Sequence, residues 1–592
     1  MDILKLFHSI EFYLDPDKVF LVAEESLSYK TLFQRIHLMA SFFKTNQIGK
    51  NDRILIATKN PTAFATFFLS LLRNGITAVI VDPENSKETI EELIRFTNAK
   101  GVILDEEKQK VWQLSSVLIE IKSKIFQKKT LFNKLLGEKK ENGYPHLFDR
   151  LHSSELPPQI DLNEDAYILF TSGTTSQPKG VRISYRSLFS HLMTISKELE
   201  HTSESRLLCL LPLHHGDGLV HGLMSTFYNQ ATLYRPFLFS IQQLETISEC
   251  IKNDQITHWI TVPTILNLMD KLEVPSFKTS HFLYVVSVAA ALEKNLWIRF
   301  ETKYDVSIIN TYGLTETVAS GLFCNSKLYP DKIGALGKPV DCQAQVIDAH
   351  GILVPCGEVG ELILKGENIM KGYFQMQEMT DSALNEGWLH TGDLVKGDED
   401  GFYHLVGRKK TVIIRNGFNI YPEEIVDCLL KCREVVEVGV FGQEDPMSGE
   451  LPVACVVLLP KSKIDAQFLF EHCRRLLPTE KQPRKIFLMK KLPKSEIGKV
   501  QIEVLKKQIA QPQRETSSEI LEIAAKVFGT TIEDVSLEKG PSALPGWDSM
   551  GHMQFVTSLE QTFKIRLSPK EILKMDSLLS AKKIIDEHLS AL

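Results

Sequence analysis

The chain has 592 residues, too many for one hydrophobic core, and this length predicts about three or four domains. Its hydrophobic fraction of 43% and charged fraction of 24% are those of an ordinary water-soluble protein. A net charge of -6 gives no reason to expect nucleic acid or an acidic membrane surface as a partner. The nine cysteines lack paired metal-ligand spacing, so we expect reduced thiols.

The most apolar stretch of the chain, residues 62–81, is interrupted by Arg73, Asn74 and Gly75. This pattern predicts a buried helix that ends at Gly75 and a strand over 76–81, and neither half is long enough to span a bilayer. The first 20 residues contain four acidic side chains, which argues against a signal peptide. We therefore expect a cytoplasmic protein without a membrane span.

The N-terminal part of the chain alternates between helical and strand patterns. Helices are predicted over 29–46 and 61–73, and strands over 53–58, 76–81 and 102–104. Helices that alternate with short apolar strands favour a mainly parallel sheet covered on both faces.

A hydroxyl-rich loop follows a further strand-like run, residues 166–170. It reads Thr171-Ser172-Gly173-Thr174-Thr175-Ser176-Gln177-Pro178-Lys179-Gly180. Backbone N–H groups in such a turn can converge on an anion, while the hydroxyls add donors and the lysine adds positive charge, so the chemistry suits a polyphosphate. Pro178 stands where a Walker A motif has its second glycine, so this is a different motif. By itself, a polar surface turn remains an alternative.

This loop resembles the phosphate loop of the adenylate-forming superfamily, which includes acyl-CoA synthetases, peptide-synthetase adenylation domains and luciferases. Ser176 replaces a glycine of the family pattern, so the loop backbone has less conformational freedom at this position than the pattern implies. The resemblance implies that ATP phosphates are bound by Thr171, Ser172, Gly173, Thr174, Thr175 and Lys179.

A second segment, Asn310-Thr311-Tyr312-Gly313-Leu314-Thr315-Glu316, is similar to another motif of that superfamily. The resemblance implies that Thr315 contacts the α-phosphate and that Glu316 binds Mg²⁺, a hard cation that takes oxygen ligands. It also implies that Asn310 recognises adenine N6 and that Tyr312 lies beside the base. Taken alone, the segment is compatible with an ordinary loop, but it follows the first motif in the family's order.

Further matches lie toward the C-terminus, in 387–394, 407–410 and 492–500. The resemblance implies that Asp393 accepts both ribose hydroxyls, a role suited to an acceptor-only group, and that Arg408 donates to ribose and phosphate. Lys410 matches the hinge of a rotating C-terminal subdomain. Lys499 matches the lysine that reaches the α-phosphate and carboxylate oxygens during adenylation.

The predicted strand 207–211 ends at Pro212-Leu213-His214-His215-Gly216-Asp217-Gly218, and α/β sheets present ligands at such strand ends. The resemblance places His215 at the acid pocket. Adjacent histidines suggest a metal, but successive strand side chains point to opposite faces, which disfavours one. Amino-acid-activating relatives have an aspartate where His215 stands, and a buried ammonium needs such a partner. We therefore expect a fatty or other non-amino acid.

Val288 lies in Tyr284-Val-Val-Ser-Val-Ala-Ala-Ala-Leu292, at a position where the family usually has glycine. The added side chain either shortens the acid pocket or packs in a core strand. The sequence leaves both alternatives open.

The last part of the chain restarts a core after a polar linker, and contains Trp547-Asp548-Ser549 before an amphipathic helix. This arrangement resembles an acyl carrier protein. It implies that a phosphopantetheinyl transferase attaches 4′-phosphopantetheine to Ser549, exposed at the positive end of a helix dipole. The alternative is that Asp548 or Ser549 only caps the helix.

These observations predict an α/β large N-terminal domain of adenylate-forming type, a small α+β C-terminal subdomain and an all-α four-helix carrier domain. The predicted limits are 1–409, 410–507, a linker over 508–517, and 518–592. The predicted enzyme activates a small carboxylic acid with ATP to acyl-AMP and transfers the acyl group to its own carrier thiol, for use by downstream enzymes. Alternatives are an acyl-CoA synthetase that uses free CoA and an inactive scaffold that presents a carrier.

Overall fold

The computed structural model describes two compact units, Met1–Gln501 and Ile502–Leu592. The described residues are 3–105, 107–108, 112, 119–122, 158–171, 179–237, 239–272, 274–416, 418–445, 448–460, 462–495, 499–510, 516–541, 543–563 and 565–591.

The described residues of the first unit form a mixture of helices and strands. Its α-helices are α1 Ile3–Tyr13, α2 Tyr29–Thr45, α3 Pro61–Arg73, α4 Lys87–Thr97, α5 Tyr185–Glu198, α6 Ser225–Tyr228, α7 Leu244–Asn253, α8 Pro263–Lys271, α9 Lys294–Tyr304, α10 Gln377–Ala383, α11 Pro422–Leu430 and α12 Ala466–Leu476. A π-helical segment covers Asp217–Met224, and short 3₁₀ turns include Thr315–Thr317 and Lys409–Thr411.

The strands of this unit are β1 Val19–Val22, β2 Ser26–Ser28, β3 Arg53–Ala57, β4 Thr77–Ile80, β5 Gly101–Leu104, β6 Ile119–Lys122, β7 Asp165–Thr171, β8 Lys179–Ser184, β9 Arg206–Cys209, β10 Thr232–Tyr234, β11 His258–Thr261, β12 Tyr284–Ser287, β13 Ser307–Tyr312, β14 Leu322–Asn325, β15 Lys338–Pro339, β16 Cys342–Ile347, β17 Val359–Gly366, β18 Gly372–Tyr373, β19 Leu384–Asn385, β20 Trp388–Gly397, β21 Tyr403–Arg408, β22 Ile413–Arg415, β23 Phe418–Ile420, β24 Val435–Asp445, β25 Gly449–Leu458 and β26 Lys485–Met489.

Two large sheets carry the first two motif loops, whereas Asp393 and Arg408 lie on β20 and β21 of a third sheet, which has the order β16-β17-β20-β19 with β21 paired to β20. A seven-stranded sheet has the order β18-β8-β7-β4-β3-β5-β6, and a nine-stranded sheet has the order β15-β14-β13-β12-β11-β9-β10-β1-β2. Strands β4, β3, β5 and β6 are parallel neighbours, as are β9 to β13 along the second sheet, whereas β8 and β18 are antiparallel. The predicted α/β large domain with mainly parallel sheets is therefore confirmed.

Local sequence signals set the limits of the early helices. The Ser28 side chain accepts a hydrogen bond from Thr31 N and begins α2. Asn60 does the same for Ala63 N, with Pro61 in the first turn of α3. Gly75, at φ +67°, then takes a left-handed conformation that ends this segment before β4.

Strand β9 ends two residues earlier than the apolar pattern predicts. Arg235 is buried, and its guanidinium donates hydrogen bonds to the carbonyls of Cys209 and Leu211, at 2.5 and 2.7 Å. These carbonyls are thereby satisfied without a neighbouring strand, so the chain can turn toward Pro212.

The small C-terminal subdomain is an α+β structure, as predicted. Its sheet has the order β23-β22-β25-β24, with β26 parallel to β25, and helices α11 and α12 pack on it. Asn267 on α8 of the large domain donates a 2.9 Å hydrogen bond to the Val436 carbonyl on β24. Near this contact, burial and the neighbouring Arg299 lower the pKa of Lys271 to about 8.

The second unit is helical and has its own core. It consists of α13 Ile502–Ala510, α14 Thr516–Phe528, α15 Ser549–Phe563, α16 Pro569–Ile572 and α17 Leu578–Ala591. Its buried residues include Phe528, Trp547 and Phe555. Helix α13 includes residues 508–510 of the predicted linker, and the domain limits stay predictions. Among the described residues, no helix is both long and apolar enough to cross a membrane.

Candidate active site

The hydroxyl-rich loop joins β7 to β8, which are antiparallel, and Thr171 pairs with Lys179 across its base. Four of its predicted phosphate ligands, Ser172, Gly173, Thr174 and Thr175, lie outside the described residues. Lys179 is described, and its Nζ lies 5.7 Å from the ring centroid of Tyr373. The loop therefore begins and ends at the tips of two neighbouring strands within the seven-stranded sheet.

The buried Asp393 is the centre of a polar group formed by β13, β20 and β21, whose other members, Tyr312 and Arg408, are half-buried. Tyr312 donates a 2.6 Å hydrogen bond to Asp393 Oδ2, and burial together with this carboxylate raises the pKa of the phenol. Arg408 Nε lies 2.7 Å from Asp393 Oδ1, but its N–H is not aligned with that oxygen. Oδ1 accepts no hydrogen bond from the described residues, so it is available to a ligand hydroxyl.

Asn310 is buried on β13, on the same strand as Tyr312. Its Nδ2 donates to the Ala335 carbonyl at 3.1 Å, whereas its Oδ1 has no hydrogen-bond partner among the described residues. An unsatisfied buried amide oxygen is costly unless a ligand donates to it. Asn310 Oδ1 and Asp393 Oδ1 are thus two acceptors that fit the amino and hydroxyl donors of a nucleoside.

Glu316 lies in a 3₁₀ turn after β13, next to Thr315. Tyr373 donates a 2.8 Å hydrogen bond to its Oε1, and the Glu316 carbonyl accepts from Met370 N at 2.8 Å. Burial, and then the neighbouring carboxylate, raise the pKa of Tyr373, so its hydroxyl is the donor. One carboxylate oxygen of Glu316 is thereby held by protein, in keeping with a predicted Mg²⁺ ligand that uses the other.

Lys499 from the small subdomain lies close to the charged residues of the large domain. It is an exposed residue, yet protein on several sides of its ammonium removes water, and this desolvation, followed by Arg408, lowers its pKa. Asp217, Asp393 and Glu316 act in the opposite direction. Lys499 is therefore near enough to Glu316 and Asp393 for the charges of both carboxylates to act on its pKa.

Lys410 adds a further positive charge to this site. Desolvation lowers its pKa most, and Arg408 and Lys179 lower it further, while Asp393 and Glu316 raise it. Residues from separate motifs therefore gather around one site: Lys179, Glu316, Asp393, Arg408, Lys410 and Lys499.

His215 lies in the turn between β9 and the π-helical segment that begins at Asp217. The rings of His214 and His215 are 4.6 Å apart, so the expectation that they point to opposite faces is wrong, because both residues lie beyond the strand. The described residues contain no group of three or more histidine, cysteine, aspartate or glutamate side chains arranged for a metal. Asp217 Oδ1 lies 3.3 Å from His221 Nδ1.

Val318 adopts a left-handed conformation, with φ +66° and ψ -60°, directly after the second motif. Ala319 N donates to the Thr317 carbonyl at 2.8 Å, which closes a γ-turn around this β-branched residue. Such a conformation costs about 1–3 kcal/mol and is typical of functional sites. A Cβ added to Gly216 would lie 3.2 Å from the Val318 carbonyl, so the turn abuts the segment that carries His215.

Val288 exposes none of its surface and packs in the main hydrophobic core. Of the two alternatives for this departure from glycine, the structure favours a core side chain over one that shortens an open pocket. The positive φ of 69° at Ala289 turns the chain directly after it.

The family of the chain is shown by two matches. The AMP-binding enzyme family model matches residues 12–374, and the model for the AMP-binding enzyme C-terminal domain matches residues 424–499. The chain belongs to this family of adenylate-forming enzymes.

Two relatives are CoA ligases. A sulfoacetate–CoA ligase from Cupriavidus necator is 34% identical over 353 residues, which cover 58% of this chain and 67% of the relative. A 2-succinylbenzoate–CoA ligase from Bacillus cereus is 25% identical over 492 residues, covering 82% of this chain and 94% of the relative.

Solved structures show the same fold. ATP-bound MatB from Rhodopseudomonas palustris superposes with a TM-score of 0.75 at 24% identity, covering 86% of this chain and 99% of that one. The o-succinylbenzoate CoA synthetase of Bacillus subtilis in complex with its acyl-adenylate intermediate gives a TM-score of 0.73, covering 86% and 98%.

Proposed function

We propose that the chain is an AMP-forming ligase that activates a small carboxylic acid with Mg²⁺ and ATP. The observation that carries the proposal is the gathering of Lys179, Glu316, Asp393, Arg408 and Lys499 around one site. The free acceptors on Asn310 and Asp393 fit the adenine amino group and the ribose hydroxyls of ATP.

In the first half-reaction, the substrate carboxylate attacks the α-phosphorus of ATP, which gives acyl-AMP and pyrophosphate. The phosphate loop and Lys179 hold the departing phosphates, and Thr315 contacts the α-phosphate. Lys499 stabilises the negative charge that develops between carboxylate and phosphate, which is the role of preorganised electrostatic groups. Mg²⁺, bound through Glu316, neutralises phosphate charge and orients the polyphosphate.

In the second half-reaction, a thiol attacks the acyl-AMP carbonyl, and AMP leaves. Rotation of the small subdomain at Lys410 removes Lys499 from the site and admits the thiol. The CoA ligases among the relatives support a pantetheine thiol as acceptor, because CoA ends in that group. A carrier domain bears the same group on a serine, so one site chemistry serves both acceptors.

The second unit supports Ser549 as the attachment point. Asp548 Oδ1 accepts a 2.7 Å hydrogen bond from Gly551 N, so Asp548 caps helix α15. Ser549 is exposed, and its hydroxyl makes no hydrogen bond with the described residues. The hydroxyl is therefore free for modification, and the capping alternative accounts for Asp548 but not for Ser549.

The residues before Ser549 are fixed by packing. Trp547 is buried and stacks on Phe528, with ring centroids 4.8 Å apart. Its indole Nε1 donates to His552 Nδ1 at 2.8 Å, so His552 Nε2 carries the proton and donates to the Ile572 carbonyl at 3.2 Å. This network holds the start of α15 rigidly while Ser549 stays on the surface, as a carrier serine requires.

We propose that the chain's own phosphopantetheine, attached to Ser549 by a phosphopantetheinyl transferase, is the preferred thiol. A tethered thiol reaches an effective concentration on the mM scale. Free CoA is the alternative, favoured by the relatives. An inactive scaffold is a further alternative, but the described catalytic positions are filled by the residue types that the chemistry needs.

The first half-reaction can be tested by ATP–pyrophosphate exchange with fatty, aryl, hydroxy and amino acids. We expect exchange with at least one acid lacking an amino group. An absence of exchange with every acid, in protein that binds ATP, would favour the scaffold alternative. Preference for an amino acid would overturn the expected substrate class.

The second half-reaction can be tested by intact mass. Incubation with transferase and CoA should add one phosphopantetheine, and ATP with the acid should add one acyl group. Ser549→Ala should abolish both additions and leave pyrophosphate exchange unchanged. Ser568→Ala is a matched control, because Ser568 is also exposed at a helix start but accepts a hydrogen bond from Glu571 N.

The same Ser549→Ala variant separates the two acceptors. If it forms acyl-CoA from free CoA as fast as the wild-type protein, carrying phosphopantetheine, forms the carrier thioester, CoA is an equivalent acceptor. If the alanine variant still acquires phosphopantetheine, the carrier assignment is wrong.

A further inference from the structure

A short segment, Ile369–Phe374, connects the two motif loops of the candidate site. At one end, Met370 N donates to the Glu316 carbonyl at 2.8 Å. At the other, Phe374 N donates to the Gly180 carbonyl at 2.7 Å, one residue beyond Lys179. We call this segment the crosspiece. These two backbone hydrogen bonds connect the motif that carries Glu316 to the base of the phosphate loop.

Tyr373 lies on the crosspiece and contacts a functional residue of each motif. Its hydroxyl donates to Glu316 Oε1 at 2.8 Å, and Lys179 Nζ lies 5.7 Å from its ring centroid. Tyr373 pairs with Val181 across the antiparallel β8–β18 ladder. Directly paired and alternate residues share a face of the sheet, which explains why Lys179 and Tyr373 meet.

The backbone around Tyr373 leaves little freedom. Gly372 has φ +133°, and a Cβ there would lie 2.5 Å from Thr380 Cγ2. The Thr380 hydroxyl accepts a 2.9 Å hydrogen bond from Tyr373 N and itself donates to the Met376 carbonyl at 2.9 Å. The ring is therefore placed by a glycine-dependent turn and a side-chain hydrogen bond, and not only by apolar packing.

We infer that Tyr373 is a positioning residue that prepares Glu316 for a divalent cation and Lys179 for phosphate. The inference rests on the proposed function, since it assigns work to residues of that same site. A free glutamate must lose rotamer freedom when it binds a metal. A carboxylate already fixed by a hydrogen bond at one oxygen presents the other oxygen without that loss, and such supporting contacts change metal affinity by about 10- to 100-fold.

The two contacts of Tyr373 can be separated by substitution. Tyr373→Phe removes the hydroxyl and keeps the ring beside Lys179. Tyr373→Leu removes both. Tyr403→Phe is a matched control, because the half-buried Tyr403 donates to the Ala344 backbone carbonyl, at 3.1 Å, and not to a side chain of the site.

The direct readout is Mn²⁺ binding to the full chain, which electron paramagnetic resonance measures. The samples contain a non-hydrolysable α,β-methylene ATP analogue and no carboxylic acid substrate. Tyr373→Phe should raise the apparent Mn²⁺ dissociation constant about tenfold, without changing analogue affinity in the absence of metal. Tyr373→Leu should show the same metal defect and bind the metal-free analogue about two- to fivefold more weakly, through loss of the cation–π contact. Tyr403→Phe should match wild type.

The role of Tyr373 as a support for Glu316 predicts non-additive effects. In a Glu316→Gln background, Tyr373→Phe should weaken Mn²⁺ binding no further. Thermal melting of each variant shows whether a loss of Mn²⁺ affinity comes from unfolding. The double variant separates positioning of Glu316 from a general structural effect, because a structural loss would add to the loss caused by Glu316→Gln.

Unchanged Mn²⁺ binding in Tyr373→Phe would overturn the inference, and so would an equal loss in both backgrounds. The metal readout needs no turnover. A lack of pyrophosphate exchange with every acid would therefore count against the proposed function, while the role of Tyr373 would still be decided by Mn²⁺ binding.

Discussion

The two ends of the candidate active site differ in how their charges are balanced. At the nucleoside end, the buried Asp393 carboxylate already has Tyr312 as a hydrogen-bond donor and Arg408 as an ion-pair partner. At the phosphate end, Lys410 and Lys499 have pKa values lowered by desolvation and by neighbouring cations. At the nucleoside end, the polar groups have partners within the protein except for the acceptors Asn310 Oδ1 and Asp393 Oδ1. The phosphate end, in contrast, has excess positive charge.

This difference indicates a division of work. Fixed acceptors at the nucleoside end select a ligand by its hydrogen-bond donors and are the same before and after the reaction. Cations that are desolvated and close together repel one another until an anion arrives, so the phosphate end gains most when charge is greatest, in the transition state. Substitutions at the phosphate end should therefore change the rate, and those at the nucleoside end should change nucleotide binding.

The largest effect is expected for Lys499→Ala. Loss of one transition-state charge contact should slow ATP–pyrophosphate exchange by about 10²–10³, while transfer from supplied acyl-AMP to a thiol stays near normal. Lys494→Ala is the control, since Lys494 lies on the same segment but pairs with Glu437 at 2.6 Å. Equal losses in both half-reactions would show that Lys499 does not act in the first one alone.

At the nucleoside end, Asp393→Asn should weaken ATP binding and change the rate at saturating ATP little. Charged hydrogen bonds contribute about 1.5–3 kcal/mol, so we expect about 10- to 100-fold in KM for ATP. The decisive comparison is ATP against 2′-deoxy-ATP. Wild type should prefer ATP and Asp393→Asn should lose most of that preference; a wild type that accepts both equally would exclude the ribose assignment.

Several elements of the fold follow from local chemistry and were predictable. The limits predicted for α3 agree with the structure because Asn60, Pro61 and Gly75 each act within one helical turn. The end of β9 was not predictable, because it depends on Arg235, which is distant in sequence and donates to the Cys209 and Leu211 carbonyls.

The residues of the candidate site also fall into those that the sequence predicts and those that it does not. Motif resemblance identifies residues expected to touch the ligand, such as Glu316 and Lys179, because the ligand fixes their identity. Tyr373 was missed because it touches those residues and not the ligand, so its partners are known only from the β8–β18 register and the crosspiece. The available signal was Gly372, directly before Tyr373, because glycine is the default residue where the backbone takes a positive φ, here +133°.

A smaller effect is expected for Asn310→Leu. The Asn310 oxygen has no partner among the described residues and would accept one hydrogen bond from adenine N6. Its loss should cost about 1 kcal/mol, or about fivefold in ATP affinity. Purine riboside triphosphate, which lacks the 6-amino group, should bind wild type and variant equally well. If the variant weakens both nucleotides alike, Asn310 supports the pocket without reading the base.

The weakest but most general contrast is in pH dependence. Lys499 acts as an ammonium, and desolvation and Arg408 lower its pKa, so the active form is lost as pH rises, below the range in which an ordinary lysine titrates. Bound ATP is anionic and should raise that pKa again. The alkaline fall in kcat/KM for exchange should therefore come at lower pH than the fall in kcat.

The variant Lys499→Arg, which keeps its positive charge, should be slower than wild type yet lose the alkaline fall. An alkaline limb that survives in Lys499→Arg would assign the titration to Lys410 instead, whose pKa is also lowered by desolvation and by Arg408.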